Sequence, residues 1–469
     1  MNSTLQSIQH QKYREKKQEK HVELLAPAKN FMALKASGPF ADAVYFGVQT
    51  LNMRIKADNF QLADLPKIVR ECHSPQNPLF RTRKVFLTVN ILIYENELKE
   101  LQQVIQAAKN AGVDAVIVHD FAAIQMAKKI GIPFHVSTQC NVSNSAAALF
   151  YEEIGAERVI LARECSLAQI REISPSMTTA SIETFVHGAM CSSISGRCYL
   201  SQTITGSNKQ SANRGLCTQP CRGNWALTSQ NGTEFIYDGE RIFNSRDLCM
   251  INYIPELIEA GIISFKIEGR MRHPHYVETV TKVYREAIDA YYAGNFEKKK
   301  KTQRWITRLK QVYNRGFTTG FFFEKATIKD SQLYNPANVS HFRYIEMGHI
   351  IEYYPTGAVK IKLDNGTLKV GDNIIVMSSI AGPGHDTYFT QTVNDIQIQR
   401  VSVDQTPRGT KSKPIILTMK IAEKTHEKGI DRIYKFTEET YRAPITKNYK
   451  GQKGQKGPRK KRKSSYLLD

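Results

Sequence analysis

Lys84-Val-Phe-Leu-Thr-Val-Asn90, Leu98 to Ala111 stopped by Gly112, Asp114-Ala-Val-Ile-Val-His-Asp120, Ala122 to Ile130 stopped by Gly131, and Pro133-Phe-His-Val-Ser-Thr-Gln139 follow one another without interruption by a long loop. The first, third and fifth pieces are short and nearly continuous in hydrophobicity, as strands covered on both faces are. Between them, Leu98, Leu101, Ile105 and Ala108 fall on one helical face, and each helix ends at a glycine able to take a left-handed cap. The stretch reads strand, helix, strand, helix, strand.

Working outward, the same alternation covers Val22 to Pro27, Asp42 to Gly47, Arg158 to Glu164, Ile182 to Gly188 and Ser264 to Gly269. The helix Ile251 to Ala260 stops at Gly261. A last helix, Tyr276 to Tyr292, carries Val277, Val280, Tyr284, Ile288 and Tyr291 on one stripe. Eight strands alternating with helices over about 270 residues predict an α/β fold, a (β/α)8 TIM-like barrel. A doubly wound open sheet is the competitor, and the closure of the count at eight decides against it. Active sites of such barrels lie at the C-terminal mouth of the strands. The polar residues ending the runs are therefore site candidates: Asn90, His119, Asp120, Thr138, Gln139, Arg163, Glu164, His187, Glu268 and Arg270.

After the seventh strand comes a loop, residues 189–250, that holds five of the chain's eight cysteines: Cys191, Cys198, Cys217, Cys221 and Cys249. Soft thiolates gathered so densely suit zinc or an iron–sulfur cluster. Four ligands suffice, which leaves one thiol spare. Tight Cys-x2-Cys pairs of zinc ribbons are absent, as is the Cys-x3-Cys-x2-Cys radical signature, so the spacing favours a cluster, with zinc or structural free thiols as alternatives. Cys72, at helical spacing from Leu62, Leu65 and Val69, is expected in the core; Cys140 and Cys165 follow strands at the mouth.

The formal net charge of +21 is concentrated locally, at Lys298 to Lys301 and between Lys447 and Lys463. Such blocks attract polyanions, and nucleic acid is the expected partner. No apolar run long enough to span a bilayer occurs, and the polar leader is not a secretory signal, so a cytoplasmic location is expected. His-Glu-x-x-His, Gly-x-Ser-x-Gly and Gly-x4-Gly-Lys-Ser/Thr are all missing, which leaves metallopeptidase, serine hydrolase and P-loop readings without support. Beyond Gly348 the pattern turns to short alternating strands with an Asn365-Gly366 hairpin signal, predicting a small C-terminal β-barrel. The expected organisation is a charged leader (1–21), the barrel (22–294), a basic linker and docking segment (295–340), the small β-barrel (341–425) and a basic, disordered tail (426–469).

Glu183-x-Phe-x-His187-Gly188-Ala-Met-Cys191-x4-Gly196-Arg197-Cys198 resembles the signature of the collagenase-like peptidase family of unassigned catalytic type. Asn213-Arg-Gly-x-Cys217-x-Gln-Pro-Cys221-Arg222, Asn244-Ser-x-Asp247-Leu-Cys249 and Phe265-Lys-Ile-Glu-Gly-Arg270 continue the likeness. Length and domain order are most similar to its tRNA-hydroxylating branch. The resemblance implies a tRNA-modifying enzyme that makes 5-hydroxyuridine at the wobble position with prephenate as co-substrate. Relatives acting on 23S ribosomal RNA or ubiquinone precursors, and the family's peptidase label, are the alternatives it brings. It further implies a 4Fe-4S cluster on Cys191, Cys198, Cys217 and Cys249, with Cys221 as substitute. His187, Glu268, Gln139 and Asn90 are the expected catalytic residues, and Arg163, Arg197 and Arg270 the expected partners of the prephenate carboxylates.

Overall fold

A computed structural model describes residues 21–223, 226–228, 234–236, 243–297, 300–323, 330–331, 338–380, 386–423 and 431–438. Nearly all of the expected leader, and the tail beyond residue 438, lie outside the described residues.

The first unit alternates strands and helices. In chain order the strands are β1 (Glu23–Pro27), β2 (Ala43–Phe46), β3 (Lys84–Val89), β4 (Ala115–Val118), β5 (Phe134–Val136), β6 (Arg158–Ile160), β7 (Ser181–Ala189), β8 (Ala226–Thr228), β9 (Glu234–Ile236), β10 (Asp247–Cys249), β11 (Ser264–Ile267) and β12 (Phe317–Thr318). The helices are α1 (Phe31–Ser37), α2 (Leu65–His73), α3 (Leu98–Ala111), α4 (Phe121–Ile130), α5 (Ser145–Glu153), α6 (Leu167–Ile173), α7 (Leu200–Thr205), α8 (Ile254–Glu259), α9 (Pro274–Tyr292) and α10 (Lys300–Gln311). Gly112 and Gly131 end α3 and α4 at φ 81° and 76°, where the left-handed cap lets their N–H groups reach back to the last carbonyls.

β1 through β7 pair in parallel, each with the next. β11 then pairs with both β7 and β1, through Ser264↔Glu183 and Leu24↔Phe265. That double pairing closes an eight-stranded parallel cylinder and rules out the open sheet. All eight predicted strands are present, and the core packs between cylinder and helices, with Leu24, Phe46, Leu87, Val116, Val136 and Phe265 almost fully buried. The cysteine-rich loop leaves at the end of β7 and returns as β10, antiparallel to β7, so it sits over the C-terminal mouth. β12 adds to β10, which binds part of the expected linker into the barrel's own sheet.

The second unit is an eight-stranded antiparallel sheet of β13 (Phe342–Tyr353), β14 (Ala358–Leu363), β15 (Asn373–Ser378), β16 (Tyr388–Thr392), β17 (Gln397–Ile398), β18 (Val401–Ser402), β19 (Ile415–Lys420) and β20 (Asp431–Glu438). Their order is β16-β15-β20-β13-β14-β19-β17-β18, curled about one core that includes Ile350, Ile361, Val376, Leu417 and Ile433. β20 corrects the expected boundary. It falls in the segment assigned to the tail, yet lies between β13 and β15, because Ile433 alternates into the core while Arg432 and Tyr434 on either side stay half-buried. No described helix is long and apolar enough to cross a membrane.

Candidate active site at the barrel mouth

Strand alternation sends every second side chain into the cylinder. On β11 this aligns Ser264 and Lys266, continued past the strand's end by Glu268 and Arg270; on β7 it aligns Glu183 and Phe185. Deep in the barrel, Arg158 bonds Glu23 at 2.6 Å and Glu183 at 2.9 Å, while Lys266 Nζ reaches Glu183 at 2.8 Å. Two cations and two carboxylates balance there, as burial of charge requires. Above this layer opens a cavity of about 400 Å³, counted with its open side, lined in part by Tyr45, Arg54, Asn90, Gln139, Arg163, Phe185, Lys266, Glu268 and Arg270.

Charge around this pocket is unequal. Glu268 receives Arg54 Nε and Nη2 at 3.2 and 3.1 Å and Arg163 Nη2 at 3.6 Å. Burial alone would raise the Glu268 carboxyl, but Arg54, Arg163 and Arg270 outweigh it and hold it below its ordinary range. Arg270 forms no ion pair among the described residues. Its guanidinium donates instead to Thr88 Oγ1 (2.9 Å), Asn52 Oδ1 (3.0 Å) and Asn59 Oδ1 (2.5 Å), and burial pushes its pKa down to about 10. Nε of Arg270 and Nε of Arg163 are buried without a hydrogen-bond partner. Three arginines face one carboxylate, so the wall of the pocket carries an excess of positive charge.

Asn90, Thr138, Gln139, Arg163, Glu268 and Arg270 thus meet in one pocket, as their positions at strand ends led us to expect. Five other candidates do not line it. Asp120 caps α4, accepting the Ala122 N–H at 2.9 Å. His119 and Glu164 lie outside the lining, and Arg197 is exposed on the cysteine-rich loop. His187 is the clearest departure. Simple alternation from Glu183 and Phe185 would turn it inward, but the β7–β11 register shifts between Lys266 and Ile267, pairing Ile267 with His187. That bulge turns His187 outward onto Tyr276, Tyr284 and Phe317, where burial pushes its pKa down to about 3. It cannot reach the pocket.

Two charged residues of the pocket escaped the sequence reading. Lys266 was visible in principle, since Lys266, Glu268 and Arg270 stand two apart on one strand face. Arg54 comes from an irregular loop after β2, where no periodicity marks it.

The cysteine-rich loop docks on the mouth through two glycines. A Cβ on Gly196 (φ 74°) would crowd the Gln139 side chain, and one on Gly215 (φ 78°) would overlap the Asn52 carbonyl. Asn141 adds a bolt, donating to the Gln139 and Ser195 carbonyls at 2.8 and 3.1 Å. Within the loop, burial raises the Cys217 thiol, and Cys191 and Cys198 add to it; burial likewise raises Cys221, with Cys191, Cys217 and Cys198 contributing. These four thiols share one electrostatic neighbourhood. Cys249, expected as a ligand, stands apart: it is buried, its thiol is raised to about 11, and its influences are burial, the Ile251 N–H, Tyr284 and Asp247 rather than another cysteine. The surroundings of Cys249 thus differ from those of Cys217 and Cys221. As a donor set, four soft thiols on one loop fit a thiolate-bound metal group. Among the described residues, no three His, Cys, Asp or Glu side chains already converge on a common point for an ion.

Comparison with known proteins adds the following. The model of the family described as Peptidase family U32 matches residues 29–332. An uncharacterized protease of Methanocaldococcus jannaschii is 40% identical over 391 residues, covering 81% of this chain and 93% of the relative. A protein named collagenase from Porphyromonas gingivalis is 34% identical over 428 residues, covering 88% and 97%. A protein named tRNA hydroxylation protein P1 from Bacillus subtilis is 34% identical over 387 residues, covering 80% and 87%.

Proposed function

The chain belongs to Peptidase family U32, and from that membership we propose that it is an RNA-modifying hydroxylase, converting the wobble uridine of tRNA to 5-hydroxyuridine. One observation carries this reading: a pocket in which three arginines face one carboxylate lies under the cysteine-rich loop, in a chain 34% identical over 387 residues to a protein named tRNA hydroxylation protein P1.

The anion the pocket takes is the co-substrate, prephenate, whose two carboxylates match the surplus of guanidinium groups. Arg270 and Arg163 bind them, and Arg54, already held by Glu268, completes the cationic wall; Arg197 stays outside. Asn52, Asn59 and Thr88 hold the Arg270 fork rigid, so little is lost in ordering it when the anion binds. Cys191, Cys198, Cys217 and Cys221 would hold a 4Fe-4S cluster, a group that would relay electrons beside the pocket. An anticodon-loop uridine is unpaired, so moving it into a pocket costs little. Basic blocks of the chain hold the phosphates, giving an affinity that falls with salt.

A peptidase reading finds no support in this pocket. Among the described residues, no histidine or cysteine lines it, and the Ser137 hydroxyl is spent on Gln139. Nucleophilic hydrolysis needs a base within hydrogen-bond reach of its nucleophile.

The deciding experiment is mass spectrometry of tRNA nucleosides from a deletion strain. We expect 5-hydroxyuridine to fall and to return on complementation; an unchanged level rejects the assignment. Iron analysis of anaerobically purified protein separates an iron–sulfur cluster from zinc.

A further inference from the structure

Resting on that function, we infer that Gln139 holds a carbonyl oxygen of the ring being hydroxylated, using an amide N–H2 group that the fold has oriented and left unspent. The pocket wall is divided. Charged side chains come from β11, from the end of β6 and from the β2 loop, whereas β3 and β5 supply the neutral groups Asn90, Ser137, Thr138 and Gln139.

The orientation of the amides follows from one backbone donor. The Met53 N–H donates to Asn90 Oδ1 at 3.2 Å, and an N–H cannot accept, so the Asn90 oxygen must face it. Asn90 Nδ2 is thereby turned toward Ser137 Oγ (3.2 Å) and Gln139 Oε1 (3.3 Å). The Ser137 hydroxyl donates to the same Gln139 oxygen. With its oxygen accepting two hydrogen bonds, Gln139 must present its nitrogen on the opposite side. That N–H2 donates to no group among the described residues, although Gln139 lines the pocket.

Place adds to orientation. Gly196 packs directly on the Gln139 stem, and Asn141 ties the Gln139 carbonyl to Ser195. Gln139 therefore stands where the pocket meets the cysteine-rich loop. A pyrimidine-2,4-dione carries its C4 carbonyl beside C5. With O4 held by the Gln139 amide against the neutral wall, C5 is fixed at that junction, and the anionic co-substrate keeps the charged wall. An exocyclic amino group at C4 would set donor against donor, so the same amide disfavours cytosine.

The test is a cycle between protein and substrate, using full-length protein purified anaerobically with its cluster, prephenate, and an anticodon stem-loop bearing uridine or 4-thiouridine at the target position. Sulfur accepts hydrogen bonds weakly. In the wild type we expect thio-substitution to lower kcat/KM for 5-hydroxylation about tenfold, the worth of one good hydrogen bond. Gln139→Glu, which keeps the accepting oxygen but loses the donors, should lower the uridine reaction at least as much, with no further effect of sulfur and an unmoved KM for prephenate. Gln139→Met repeats the test without adding charge, should the carboxylate disturb folding. Losses that simply multiply in both variants overturn the assignment of Gln139 while leaving the hydroxylase reading intact. A wild type that hydroxylates neither RNA overturns both.

Discussion

Single residues in this barrel are decided by which face of a strand they occupy. His187 stands beside the cysteine signature and looks catalytic, yet one bulge turns it into the packing layer between β7 and α9. Arg270, two residues past Glu268 in the segment that follows β11, keeps its place at the pocket. Its position depends on a residue far away in sequence: a Cβ on Gly47 would overlap Arg270 Nη2 and crowd Asn52. We expect Gly47→Ala to push the guanidinium out of its seat. Overpacking of this kind destabilises by about 1–3 kcal/mol, and hydroxylation should fall at least about tenfold through a raised KM for the dianion, as one charged hydrogen bond lost implies. A melting curve and steady-state kinetics check the two effects; an unchanged KM would show that Arg270 does not bind the anion.

At the scale of elements, the described residues of the cysteine-rich loop bury few apolar side chains of their own, and the loop is seated over the mouth. Gly215 makes the closest approach, at φ 78° against the Asn52 carbonyl, a position that any side chain would strain. Gly215→Ala should lift the Arg214–Cys217 segment and displace Cys217 from the other thiols. The barrel core lies elsewhere, so the melting temperature should move little while bound iron drops by half or more. Iron content and the melt measured on the same preparation test this. Full iron in the variant would mean that seating at Gly215 does not assemble the thiols. The helix caps at Gly112 and Gly131 and the apolar faces of α3 and α4 were legible from local spacing, because both depend on neighbours within one or two turns. The loop's docking was not legible, because Gly196 and Gly215 are constrained by residues from β5 and from the β2 loop.

The whole molecule joins its two units through α1, α2 and the start of α9. Asp386 pairs with Lys35 and Lys67, both at 3.3 Å, and Glu278 accepts from Tyr388 and Thr390 of β16. His273 belongs to the same junction. It caps α9 by accepting the His275 N–H at 3.2 Å, and its ring stacks on Tyr344 of β13 at 4.4 Å. Burial, helped by His275 and Lys29, pushes its pKa down to about 4 from 6.5. The unfolded chain therefore binds this proton first as pH falls. Stability is complete above about pH 6.5 and is lost on the way to about pH 4. Between pH 7 and pH 5 the loss from this residue should be about 1–2 kcal/mol, and His273→Asn, which keeps a capping acceptor, should flatten that part of the profile. Denaturant melts at the two pH values decide it; parallel profiles for both proteins would assign the acid sensitivity elsewhere.

Hydrophobic period and glycine stops alone determined the eight strands, the helices between them and the mouth at which polar strand-ends collect, since these follow from short-range geometry repeated along the chain. Charge composition placed the basic blocks in the same way. Only the closed tertiary structure decided that Arg54 enters the pocket, that His187 leaves it, and that Asp431–Glu438 is a central strand. Each of those outcomes turns on a contact between distant segments, where a one-residue change in register or the path of an irregular loop reverses which way a side chain points.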